Sequence, residues 1–149
     1  LAPREQPFAV DGVLGAVATL HAAIEIPDSR YADFTRVGAP QLIADNACTH
    51  YFLCAESTGA DWRAIDLRAH RVVGRVEGRY EREGSGAAVL GDPRVALAWL
   101  ANELRGLGIP LKAGQTVTTG TCFKPLELEP GDLVTADLGA LGTASVRFA

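Results

Sequence analysis

Glu25 stands between Ile24 and Ile26, an apolar–acidic–apolar alternation that turns one carboxylate away from two apolar neighbours if the stretch is extended. On residue type alone it is a charge on a solvated strand face. Glu127-Leu128-Glu129 has the same period and gives two carboxylates on one solvated face. Thr119 and Thr121 flank Gly120 and have the character of β-strand threonines. Arg30 has Asp28 and Asp33 nearby for a local ion pair, and a substrate carboxylate is a second possible partner. Nucleophilic catalysis finds little support, because there is no Gly-x-Ser-x-Gly elbow and the three histidines, His21, His50 and His70, come without a plausible nucleophile. Gly84-Ser85-Gly86 lacks the spacing of a phosphate loop or a dinucleotide fingerprint. Cys48, Cys54 and Cys122 form no Cys-x-x-Cys pair, which argues against a disulfide framework and a structural zinc site alike.

The elements that must carry these residues are short. Asp11 sits where an N-cap should, ahead of Val13, Leu14, Val17, Ala18 and His21 at helical spacing, with Gly12 and Gly15 weakening that helix. Ala22 to Asp28 is expected to form a strand that Pro27 ends or confines to an edge. Residues 40–47 suit a short helix with Pro40 in its first turn, and Tyr51 to Ala55 suit a strand. From Trp62 to Tyr80 the pattern predicts a β-meander, with Ile65 and Leu67, then Val72, Val73 and Val76, joined through a turn at Arg68-Ala69-His70. Asp92 and Pro93 open the best-defined helix, whose Leu97, Leu100, Ala101 and Leu104 share a face expected to pack on a curved sheet. Gly108 and Pro110 stop it. Four further strands are expected at 116–119, 126–128, 133–138 and 145–148. The order β-rich, helix, β-rich gives an α+β fold, mostly β.

A length of 149 residues, 48% of them hydrophobic and 21% charged, fits one domain with a single core. The net charge of −4 gives no reason to expect nucleic acid or an anionic membrane as partner. No apolar run approaches the length of a membrane-spanning helix and no signal peptide is evident, so a cytoplasmic location is expected. The chain has no methionine and opens on Leu1, so the sequence is expected to lack an N-terminal part.

Several segments together resemble a known family. Residues 23–31, Ala-Ile-Glu-Ile-Pro-Asp-Ser-Arg-Tyr, resemble the "ALEI-DSR" segment of 2-keto-4-pentenoate hydratases, members of the fumarylacetoacetate hydrolase superfamily. Ala44-Asp45-Asn46-Ala47 is similar to their "ADNA" segment, residues 84–93 to their "G-GAAVLG-P" run, and residues 98–102 to their "AWLAN" helix. Lys112-Ala113-Gly114, Thr119-Gly120, Pro130-Gly131-Asp132 and Val146-Arg147-Phe148 follow in the family's order.

The resemblance implies a mixed β-sandwich or rolled sheet with a few packed helices. It implies Mg²⁺ or Mn²⁺ held by three carboxylates, with Glu25 as one ligand and a Glu-x-Glu pair upstream of that position as the others. A 2-oxo acid chelates such a hard cation, which then stabilises an enolate. Asp45 and Asn46 match positions lining the active site, where a carboxylate or amide orients water. Thr119, Gly120 and Thr121 match the loop near the substrate carboxylate. Cys48 falls where relatives often carry serine or another small residue. The implied activity is hydration of 2-hydroxypenta-2,4-dienoate-type acids in aromatic-compound degradation. 2-Oxo-3-hexenedioate (4-oxalocrotonate) decarboxylases, C–C hydrolases of the superfamily and a non-catalytic assembly partner are the alternatives. Homo-oligomers, possibly with a related decarboxylase or hydratase subunit, are expected, and this chain alone is expected to be inactive.

Overall fold

Among residues 1–2 and 4–149, which the computed structural model describes, three α-helices and six strands follow one another with short 3-10 turns between them. The helices are α1 (Val10–Leu14), α2 (Ala39–Ala44) and α3 (Pro93–Gly106). The strands are β1 (His21–Pro27), β2 (Thr49–Ser57), β3 (Arg71–Val76), β4 (Tyr80–Ser85), β5 (Leu133–Asp137) and β6 (Thr143–Arg147). They form a two-stranded sheet, β1-β2, and a four-stranded sheet of order β4-β3-β5-β6. Every pairing is antiparallel, so an α+β fold holds while neither sheet is mixed. Among the described residues no helix is long and apolar enough to cross a membrane.

The four-stranded sheet is organised by β3. Val72, Val73 and Val76 are buried, and Gly78, at φ +75°, closes the three-residue connection that pairs Val76 with Tyr80. Gly74 and Gly84 lie on the same face, because Gly84 is the register partner of Val72. That face is covered by Cys122 and Phe123 at such close range that a Cβ on Gly74 would overlap the Phe123 ring and one on Gly84 would overlap the Cys122 carbonyl. The two expected strands at 116–119 and 126–128 are therefore absent: the segment lies over the sheet instead of pairing into it. Its fastenings are individual, with Ser85 N–H donating to the Cys122 carbonyl at 3.1 Å and the Tyr80 hydroxyl donating to the Glu127 carbonyl at 2.7 Å.

The first helix is shorter than its apolar period suggests. α1 ends at Leu14, its N-cap is Ala9 and not Asp11, and His21 opens β1. Gly12 and Gly15 leave little helix propensity to carry the turn further, and Val17 and Leu20 are more useful as half-buried packing beneath Trp62, Leu67 and Leu141. The expected first limb of the meander is also replaced. Trp62–Ala64 is a 3-10 turn, and Asp66 Oδ1 accepts from Arg68 N–H at 3.1 Å, an Asx turn that buries Leu67 without a strand.

The Asp92 cap expected of α3 is present: its carboxylate accepts from Arg94 N–H at 2.9 Å with Pro93 at the first turn, and Gly108, at φ +72°, follows the last. The buried residues of α3 are Ala96, Ala98 and Ala101, whereas Leu97, Leu100 and Leu104 are half-buried. Small side chains allow α1 to approach closely, so α3 packs its Ala98 and Ala101 on Val13, not its leucines on a sheet. β1 and β2 pack against β6, and β1 also against β5, which attaches the small sheet to the large one.

Gly84→Ala should destabilise the fold by roughly 1–3 kcal/mol or prevent folding, since the added methyl meets backbone. Gly12→Ala, in a helix with open space around the position, should stabilise by about 0.5–1 kcal/mol. Urea titration of the two variants beside the wild type measures both.

Candidate metal and substrate site

β1 presents Glu25 as its alternation requires. The residue is solvent-exposed and pairs in register with Phe52, while Ile24 and Ile26 are half-buried. Its carboxylate has no hydrogen-bond or ion-pair partner among the described residues, and an unengaged oxygen donor of this kind suits a hard cation. Among the described residues no group of three or more His, Cys, Asp or Glu is arranged to hold a metal ion. Among the described residues Glu25 therefore has the chemistry of a single oxygen donor and no neighbours that complete a metal site.

The far end of the small sheet carries a tighter arrangement. Asp45 is 2% exposed, and both its carboxylate oxygens are occupied. Oδ2 accepts from the Ser29 hydroxyl at 2.7 Å, and Oδ1 accepts from Arg30 Nη1 at 2.7 Å and from Arg30 N–H at 3.3 Å. Arg30 Nη1 also donates to the Asp45 carbonyl at 2.8 Å. The ion pair expected between Arg30 and Asp28 or Asp33 is therefore made with Asp45 instead, and Asp33 accepts from Thr35 N–H at 3.1 Å. Sequence reasoning missed Ser29 and Arg30 as partners of Asp45. The signal was a charge pair split between two motifs fifteen residues apart, which only the folded chain brings together.

Directly after Asp45 the backbone turns left-handed. Asn46, Ala47 and Cys48 have φ of 51°, 53° and 63°. For non-glycine residues this costs roughly 1–2 kcal/mol each, and such strain persists only where surrounding contacts impose it. Here Asp45 N–H donates to the Gln41 carbonyl at 2.9 Å, Cys48 N–H to the Asp45 carbonyl at 3.1 Å, and Asp28 N–H to the Cys48 carbonyl at 2.8 Å. The last of these fastens the end of β1 to the turn. Asn46 is left exposed at its apex.

Thr119, Gly120 and Thr121 sit elsewhere, on the segment that covers β4. Gly120 has φ +122° and lies beside Val89. The Thr121 hydroxyl donates to the Phe123 carbonyl at 2.7 Å, and Thr119 is half-buried. No hydrogen bond among the described residues joins this loop to Glu25, Asp45 or Asn46.

Other ionisable groups are engaged within the fold. Glu127 and Glu129, exposed as expected, pair with Arg82 and Arg79. Arg75 bridges Glu81 at 3.1 Å and Asp137 at 3.2 Å. His21, expected on a helix, lies in β1 with Nδ1 at 2.9 Å from the Ala55 carbonyl. His70 Nε2 is 2.6 Å from the Leu138 carbonyl. All three cysteines are free, and burial pushes the Cys122 thiol up from its ordinary value.

Comparison with known proteins places this geometry. No family model matches the chain. Curated relatives align with nearly all of it: 2-hydroxyhexa-2,4-dienoate hydratase of Comamonas testosteroni is 33% identical over 138 residues, 93% of this chain and 52% of the relative. 2-Keto-4-pentenoate hydratase of Paraburkholderia phymatum is 35% identical over 136 residues, 91% of this chain and 51% of the relative. 4-Oxalocrotonate decarboxylase of Pseudomonas putida G7, solved in complex with magnesium and adipate, superposes with a TM-score of 0.81 at 34% identity, over 94% of this chain and 52% of that one. The chain is similar to members of the 2-keto-4-pentenoate hydratase family. It spans about half the length of the family members it matches, and those members are named as hydratases and decarboxylases.

The Arg30 guanidinium first, and then the Ser29 hydroxyl, hold the Asp45 carboxyl below its ordinary value of 3.8. A carboxylate whose pKa is depressed by folding contributes stability that is present above its unfolded pKa and lost as pH falls through the folded one. Wild type should therefore melt at a higher temperature than Asp45→Asn at neutral pH, and the gap should close as pH falls below 3.8. Melting curves of the two proteins from pH 7 to about 2 test this, and a constant gap contradicts it.

Proposed function

We propose that this chain is the C-terminal part of the catalytic domain of a metal-dependent hydratase, of the fumarylacetoacetate hydrolase C-terminal-domain type. Its substrates would be 2-hydroxypenta-2,4-dienoate-type 2-oxo acids, converted to 4-hydroxy-2-oxo acids. The observation that carries the reading is Glu25: an exposed, unengaged carboxylate on the strand whose sequence matches the "ALEI-DSR" segment. The identity of 35% to a 2-keto-4-pentenoate hydratase and the magnesium complex of the similar decarboxylase support it.

In this reading Glu25 contributes one oxygen ligand to Mg²⁺ or Mn²⁺, and two carboxylates from a Glu-x-Glu pair outside these 149 residues complete the set. The cation, when bound, supplies Lewis acidity towards the 2-oxo group. The chain's own groups then position the reactants. Thr119 and the backbone N–H groups of Gly120 and Thr121 face the substrate carboxylate, and donors of this kind suit an anion. The exposed Asn46 amide, beside Asp45, orients water. A proton adds to the terminal carbon of the dienol as the enol hydroxyl proton leaves, giving an unsaturated ketone. Water then adds across the remaining carbon–carbon double bond, hydroxyl at C4 and hydrogen at C3. The acting form is a homo-oligomer, with or without a related decarboxylase or hydratase subunit.

A second reading, decarboxylation of 2-oxo-3-hexenedioate, is favoured by the TM-score of 0.81 to 4-oxalocrotonate decarboxylase. Product analysis separates the two, since one releases carbon dioxide and the other consumes water.

In the protein made from the complete reading frame, Glu25→Gln should shift the Mg²⁺ dependence of turnover to higher concentration and lower the maximal rate. The fold should remain intact, and the variant should be at least as stable as wild type without metal, since one carboxylate of a crowded set has gone. Superimposable Mg²⁺ titrations of wild type and variant would sink the ligand role. Residues 1–149 alone should give no stoichiometric micromolar Mg²⁺ binding in calorimetry and no hydratase activity, because one of three carboxylates does not hold the ion.

A further inference from the structure

Among the described residues Asp45 is the one buried polar or charged residue, and its side chain has no exposed surface. A general acid or base must come within about 2.6–3.2 Å of the proton it moves, or reach it through one water. Both Asp45 oxygens instead face Ser29 and Arg30 of the same chain. Asn46 is the reverse case, exposed and with a side-chain amide that makes no hydrogen bond among the described residues. From Asn46 to Cys48 runs a left-handed backbone that three successive non-glycine residues would leave if nothing held it.

We propose that Asp45 is a positioning residue that takes no part in proton transfer: with Ser29 and Arg30 it holds the left-handed Asn46–Cys48 turn and so aims the Asn46 amide into the site. The clamp explains why a buried carboxylate, an arginine and a strained turn meet at the end of the strand that carries Glu25. Asp45 occupies the near side of the Arg30 guanidinium through Nη1 and also receives the hydroxyl of Ser29, fixing both residues after β1. The Asp28 to Cys48 backbone bond transmits that fixation to the far end of the turn. Without the carboxylate, Arg30 is released to solvent and residues 46–48 relax towards right-handed or extended backbone. That Asn46 then serves catalysis rests on the functional reading above; that Asp45 holds the turn does not.

The test uses the protein made from the complete reading frame. Asp45→Ala and Asn46→Ala should each lower kcat about 100-fold with little change in KM, the scale expected of a misplaced group. The double variant should be no slower than either single one, because both changes remove the same aimed amide. Asp45→Asn, which keeps the shape and some acceptors, should recover part of the rate and leave the kcat–pH profile with both limbs intact. Loss of a limb in Asp45→Asn, or multiplicative losses in the double variant, would overturn the proposal. A reading independent of turnover comes from backbone couplings and Cα shifts of residues 46–48 by NMR. They should report left-handed backbone in wild type and Asp45→Asn and its loss in Asp45→Ala, with Arg30→Gln giving the same loss should Asp45→Ala fail to fold. A turn that stays left-handed in those variants refutes the clamp. A wild type that neither hydrates dienols nor decarboxylates 2-oxo-3-hexenedioate refutes only the functional reading, and the NMR result then decides the clamp alone.

Discussion

Asp45 is a charge placed where water does not reach, and the chain's path around the small sheet follows from satisfying it. A buried carboxylate without partners is costly enough that it would take up a proton or unfold its surroundings. This one collects a guanidinium, a hydroxyl and a backbone N–H from two residues that follow β1 directly. Residues that enter β2 are thereby tied to residues that leave β1, and the antiparallel register, with Glu25 opposite Phe52, is fixed from one end. An isolated two-stranded ribbon is marginal in water, and this anchor together with packing on β6 is what keeps it in place.

The large sheet solves a different problem. The segment from Lys112 to Asp132 carries enough apolar and β-branched residues to suggest strands, yet it pairs into neither sheet. It lies over a face of β3 and β4 instead, and glycine makes that face available. With no Cβ at 74 and 84 the backbone of Cys122 and the ring of Phe123 settle directly on β3 and β4, closer than any other residue type would allow. Gly84, the first residue of the segment similar to the "G-GAAVLG-P" run, is thus explained by its contact with the Cys122 main chain.

Much of this was legible in the sequence where a local rule dominates. The alternation around Glu25, the Asp92-Pro93 helix start, Pro40 in the first turn of α2 and the Pro130-Gly131-Asp132 turn before β5 all state their structure within a few residues. Failures occurred where a partner distant in sequence decides. Val17 and Leu20 have helical spacing but are drawn under Trp62, so the helix stops at Leu14 and His21 joins a strand. Thr116 to Thr119 have strand character but pair into neither sheet. The candidate site divides in the same way: the exposure of Glu25 follows from its local alternation, whereas the burial of Asp45 and its pairing with Arg30 depend on which face of the fold the turn meets. Nothing in residues 23–47 taken linearly distinguishes a carboxylate that meets solvent from one that is sealed.

The left-handed turn also bears on how such a protein changes under selection. Ala47 holds a φ of 53° that glycine would adopt freely, so exchange to glycine is a one-step route to a more relaxed folded backbone. The same exchange would loosen the frame around Asn46. With the role proposed for Asn46, selection for heat resistance alone would favour changes of this kind at 46–48, while selection for turnover would reject them. On that proposal the turn is a position where stability and activity pull the sequence in opposite directions.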